Sequence, residues 1–152
     1  MAPRLAGRYP TSVRDVADTG NPLPPVRVGY TSVRTWRFLR HCSEATCATT
    51  LLRPSIIPGR TTVFRYSLHV VSGTTYKGKL NVPDLCLEPS KTLPLGSVVD
   101  RATLTIRPTR TSAGRAVAYR GTMVIRVVPT RWARAEGCTA GGYQRFSFRS
   151  PA

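Results

Sequence analysis

Four cysteines, two histidines and seven carboxylates are all that this sequence offers for covalent, metal or acid–base chemistry. Cys42 and Cys47 enclose a Ser-Glu-Ala-Thr loop, while Cys86 and Cys138 stand alone, roughly fifty residues apart. An even number of cysteines among short β-like runs is what an exported domain uses when its core is too thin to hold by itself, so two disulfides are the expected chemistry. The economical pairing is Cys42 with Cys47 and Cys86 with Cys138, although four cysteines allow three connectivities. A zinc site built from the same cysteines and His41 is disfavoured, because zinc modules pair two close knuckles and only one close pair exists here. Asp15, Asp18, Glu44, Asp84, Glu88, Asp100 and Glu136 are scattered without a signature spacing, and His69 falls on the outward phase of a strand. A glycosidase-like pair such as Glu44 with Glu136 would need geometry that spacing does not provide. No catalytic residue, metal or cofactor is assigned, and the chain reads as non-enzymatic.

Charge is the second source of chemistry. Twenty arginines and three lysines oppose seven acids, a formal charge of +16 over 152 residues. A field of this sign favours anionic partners such as nucleic acid, anionic lipid head groups, polymers of the teichoic type or acidic polysaccharide, and the expected role is a basic face that binds anionic envelope polymer or a partner protein. A GC-rich genome accounts for the same bias, since Thr, Ala, Pro and Gly are abundant too.

The elements that must position these charges are strands. Residues 1–32 mix Pro, Arg, Gly, Thr and Asp, contain Gly20-Asn21-Pro22-Leu23-Pro24-Pro25, and sustain no period. They read as a disordered tether, with a helical turn at most over Ser12 to Ala17. From Val33 the period becomes two, the sign of strands with one buried face, giving a single β-domain over 33–152. Trp36 and Phe38 alternate with Arg37. Phe64, Tyr66, Leu68 and Val70 share a face, and Ser72-Gly73 turns the chain into a return strand with Tyr76, Leu80 and Val82 inward. After an irregular connector over 84–96, Ala102, Leu104 and Ile106 form one inward row and Val117, Tyr119, Met123, Ile125 and Val127 another, with Gly121 at a bend or bulge. Phe146 and Phe148 close the set, and no helix is convincing. Seven strands with short links predict an antiparallel β-sandwich or a closed barrel, the sandwich slightly preferred.

On these strands the outward phase carries Arg65, Lys77, Lys79, Arg101, Arg107, Arg120, Arg126, Arg145 and Arg149. Interleaved threonines add hydrogen bonds, and guanidinium forks suit phosphate, sulfate or carboxylate groups, so this is the candidate anion-binding face. Arg4, Arg8, Arg14 and Arg27 would supply a basic arm to a nucleic-acid binder, with Trp132, between Arg131 and Arg134, as the candidate stacking residue. A third reading is a carrier of a small apolar ligand in a barrel lumen, opposed by the large inward aromatics, which predict a filled interior.

Residues 36–149 carry an aromatic strand entering Cys42-x4-Cys47, a third cysteine midway, Gly121-Thr122 in a long strand, and Cys138 before Phe146-Ser147-Phe148. In these features the chain resembles the small secreted or lipoprotein β-domains of actinobacteria, a group largely of unknown function. The resemblance implies export and an extracellular or envelope-associated place, and implies no activity. It departs at the front: residues 1–10 show neither a leader's apolar run nor a lipobox cysteine, so any leader is expected outside this sequence. No stretch of about 18 apolar residues is present to span a membrane.

Overall fold

The computed structural model describes residues 2–20, 27–88, 91–138 and 141–152. The strands are β1 (Gly7–Gly20), β2 (Thr31–Ser43), β3 (Thr46–Pro54), β4 (Val63–Ser72), β5 (Thr75–Asp84), β6 (Leu87–Glu88), β7 (Lys91–Thr92), β8 (Val98–Ser112), β9 (Arg115–Pro129) and β10 (Gly142–Ser150). Helix α1 (Arg131–Ala135) lies between the last two. Eight strands close in the order β1-β10-β9-β8-β5-β4-β3-β2, and β6 and β7 form a separate two-stranded ribbon. Every neighbour in the ring is antiparallel. The molecule is therefore an up-and-down barrel rather than a sandwich, and closure leaves no open sheet edge.

The eighth strand comes from the segment read as a tether. β1 pairs with β2 from Gly7 opposite Phe38 to Arg14 opposite Thr31, and with β10 on its other side. Its inward phase is Tyr9, Thr11, Val13 and Asp15, all buried. Two of those four are polar, which hides the period of two from a hydrophobicity reading. Thr11 is kept satisfied by hydrogen bonds to the Tyr9 carbonyl and the Tyr119 hydroxyl. No helical turn forms over Ser12 to Ala17. The prolines at 22, 24 and 25, on which the tether reading leaned, lie outside the described residues.

Alternation elsewhere follows the expected phase except at Val117, where the register shifts around Arg110 bury Ala116 and Ala118 instead. Trp36, Phe38, Tyr66, Leu68, Leu104, Ile106, Met123, Phe146 and Phe148 are buried, while Val70, the last residue in register before the shift between Val70 and Ser72, is 47% exposed. Gly121 is no bulge: pairing runs without a shift to Ile106 on one side and Phe148 on the other. Its missing side chain makes room for the Phe148 ring and the Thr105 carbonyl, both of which an added Cβ would strike. The bulges lie at Asp15/Ala17, Val70/Ser72 and on both sides of Arg110.

The two ends of the barrel differ. At one end the connections are tight hairpins, including Ser72-Gly73 as expected, and aromatic rings fill the interior. Trp36 lies 4.7 Å from Phe148, and Tyr119 5.3 Å from Tyr9. Residues 2–6 cross beneath, with Leu5 fully buried, held by Arg4 N–H to Gly114 O at 2.9 Å and Tyr76 Oη–H to Pro3 O at 2.8 Å. The other end carries the longer connections. There the Cys86–Cys138 disulfide joins the β5–β8 connection to the segment after α1, whereas Cys42–Cys47 crosses the exposed β2–β3 hairpin. The connector over 84–96 is not wholly irregular, because it holds the β6–β7 ribbon. α1, five residues capped by the Thr130 hydroxyl accepting from Ala133 N–H, is too short to leave a helical period in the sequence.

Candidate functional site

All nine cations assigned to an anion-binding face are exposed on the outer wall, but closure distributes them around the ring. β4, with Arg65, lies four strands from β10, on the opposite wall from Arg145 and Arg149. Arg101 and Arg126 face each other near the open end, where the Arg126 guanidinium covers the Tyr143 ring at 5.0 Å. Lys77 stands opposite Thr105 and Lys79 opposite Thr103, on β5. Arg145 stands opposite Val124.

The concentrated group is Arg107, Arg120 and Arg149. Arg107 is the direct partner of Arg120 across β8–β9, Arg120 is the direct partner of Arg149 across β9–β10, and Arg149 stands opposite Ser12 of β1. Cross-strand partners place their Cβ atoms about 5 Å apart, and like charges so placed destabilise a sheet. None of the three makes an ion pair among the described residues. The adjacent register row is polar: Thr105, Thr122, Ser147, Arg14 and Thr31. Together these side chains line a groove of about 710 Å3 that Gly121 and Phe148 also border. Arg14 comes from β1, so the reading of residues 1–32 as a flexible arm hid the fourth arginine of the site.

A second concavity opens inside the barrel. Tyr9, Trp36, Phe38, Tyr119 and Phe148 fill the hairpin end, as expected of a filled interior, but the other half is not filled although Phe64, Tyr66 and Phe146 line it. A cavity of about 690 Å3 occupies the other half, walled by Leu80, Val82, Met123, Ile125, Val127 and Phe146 and rimmed by the β3–β4 loop. Arg53 enters it from β3 at 4% exposure. Its guanidinium lies over Phe64 at 4.6 Å and Tyr66 at 5.5 Å, and donates to Tyr66 Oη at 3.1 Å and Pro54 O at 3.3 Å. Arg53 ends a short apolar strand just before a proline, a position at which an arginine ordinarily reads as the return to solvent.

Two carboxyls at this end are held away from their ordinary acidity. Burial, with Asp84 beside it, pushes Asp100 up to about 8; burial, with Asp18 beside it, pushes Asp15 up to about 7. The folded state therefore binds these protons more tightly than the unfolded chain. The stability they contribute is complete below about pH 4 and is lost as pH rises through 7 and 8. Wild-type Tm relative to Asp15→Asn and Asp100→Asn is expected to fall between pH 5 and pH 8. Parallel Tm profiles for wild type and both variants would contradict the assignment.

Trp132 is 47% exposed on α1, but β9 runs nine residues from Arg120 to Pro129, about 30 Å of strand at roughly 3.3 Å per residue. The structure does not bring it to the arginine groove. Among the described residues no three His, Cys, Asp or Glu side chains group as a metal site, and no helix is long and apolar enough to cross a membrane. No protein-family model, curated protein or solved structure matches this chain.

Proposed function

We propose that the protein is a non-enzymatic, exported binding module that holds an anionic polymer of the cell envelope in the outer groove of Arg14, Arg107, Arg120 and Arg149. The observation that carries this reading is the in-register row Arg107–Arg120–Arg149. Three adjacent guanidiniums without counter-charges raise the local potential, and a polyanion relieves a repulsion that the fold itself leaves in place. Serine and threonine hydroxyls beside the row supply neutral hydrogen bonds to phosphate or sulfate oxygens. The groove holds no nucleophile–base pair. Two disulfides suit an oxidising compartment, in keeping with export. The distance from Trp132 to the row favours a polymer without bases over nucleic acid, whose single strands are held by stacking beside the cationic track.

Counterion release makes the reading testable. Titrated with poly(glycerol phosphate) between 50 and 200 mM NaCl, the protein is expected to lose roughly 50-fold in affinity if four arginines each neutralise one phosphate. An affinity unchanged across that range would overturn the proposal.

A further inference from the structure

The cavity inside the barrel is a site in its own right, separate from the outer groove. We infer that the lumen binds one small amphiphile bearing a carboxylate, with the carboxylate on Arg53 and the apolar chain against the half-buried Leu80, Val82 and Ile125. Its volume, about 690 Å3, lies in the roughly 300–1,000 Å3 range of small-molecule pockets. Arg53 as a residue is only 4% exposed and its Nε is buried, and a guanidinium is costly to keep out of water unless a charge or hydrogen bonds compensate it. Here compensation is partial. Arg53 has no ion pair among the described residues, two of its five N–H donors are used, and its Nε has no hydrogen-bond partner. The faces of Phe64 and Tyr66 hold the cation in place without neutralising it. A carboxylate fits the remaining donors in a forked geometry and brings a single negative charge to a single buried cation.

Of the other polar groups lining the cavity, Arg27 and Arg60 favour an anion and the acid Asp84 opposes it. Burial, with Asp84 beside it, pushes Asp100 up to about 8, which favours its neutral form at pH 7. Asp84 accepts from Leu85 N–H at 2.7 Å. Arg27 and Arg60, exposed and also lining the cavity, add positive potential on the path inward.

The test is calorimetric titration of the full chain with dodecanoate and with dodecanol, the same chain without the charge, in 300 mM NaCl at pH 7. Wild type is expected to bind one dodecanoate per chain, at least about tenfold more tightly than dodecanol. Arg53→Met is expected to bind the two equally, and Arg37→Gln/Arg65→Gln/Lys79→Gln, which removes three exposed charges outside both cavities, to keep the wild-type preference for dodecanoate. Methyl NMR of the wild-type protein gives a readout that does not depend on how Arg53→Met folds: dodecanoate should shift the Leu80, Val82 and Ile125 methyl signals. No dodecanoate binding, a preference that survives Arg53→Met, or shifts confined to outer-wall residues would each overturn the inference.

Discussion

Replacing Cys86 and Cys138 together by alanine is expected to lower the free energy of unfolding by about 4 kcal/mol. The bridge closes a loop of 52 residues, and in the chain-entropy account the entropy that closure removes from the unfolded state grows with the logarithm of the loop length. The bond is also seated in its own small core with Leu93, Val98, Val127 and Ala133. Beside it, Cys86 N–H donates to Ser97 Oγ at 2.7 Å. Its loss frees the β5–β8 connection from the segment after α1, at the end where the lumen opens. The contrast is the Cys42→Ala/Cys47→Ala variant. That bridge closes five residues across a hairpin already held by the β2–β3 ladder, so its loss is expected to cost about 2 kcal/mol or less. Urea unfolding of both variants checks the pair, and equal losses, or a larger loss for the hairpin bridge, would contradict the account.

Trp36→Ala is expected to cost about 3 to 5 kcal/mol. Trp36 is fully buried, 4.7 Å from Phe148 and 6.2 Å from Tyr119 by ring centroids. It belongs to the aromatic packing that stops one end of the barrel. Truncation leaves a void that neighbouring rings cannot fill, because Phe148 is already fixed against Gly121. Denaturant unfolding measures the loss. A cost below about 1 kcal/mol would mean that this end is loosely packed.

The parts of this fold legible in the sequence were those with apolar alternation on one phase. β2, β4, β8 and β10 announce themselves through Trp36, Phe38, Tyr66, Leu68, Leu104, Ile106, Phe146 and Phe148. β1 did not, because Thr11 and Asp15 occupy half of its inward positions, and a polar inward residue looks like solvent exposure until its partner is known. Missing β1 meant missing closure, since without an eighth strand a meander of this length reads as readily as a sandwich. The disulfide pairing followed from economy and is the pairing observed. Of the nine outer cations, every one was placed on the correct side of its strand. Which three would stand in register depended on strand pairing between β8, β9 and β10, which no local pattern encodes. Arg53 was invisible for a related reason, because only the closed ring turns an end-of-strand arginine into a buried one.

In the proposed function, anion binding belongs to the arginine row and not to the charge of the whole molecule. The most direct measurement compares two variants that each lose three positive charges from exposed positions. Arg107→Gln/Arg120→Gln/Arg149→Gln removes the row. Arg37→Gln/Arg65→Gln/Lys79→Gln removes charges from β2, β4 and β5, outside the groove. Affinity for poly(glycerol phosphate) is measured for both across a salt series. The row variant is expected to lower the slope of log K against log salt by about 2 to 3, one unit or slightly less per lost phosphate contact, while the other variant keeps the wild-type slope. Equal losses in the two variants would assign the binding to net charge and contradict the site.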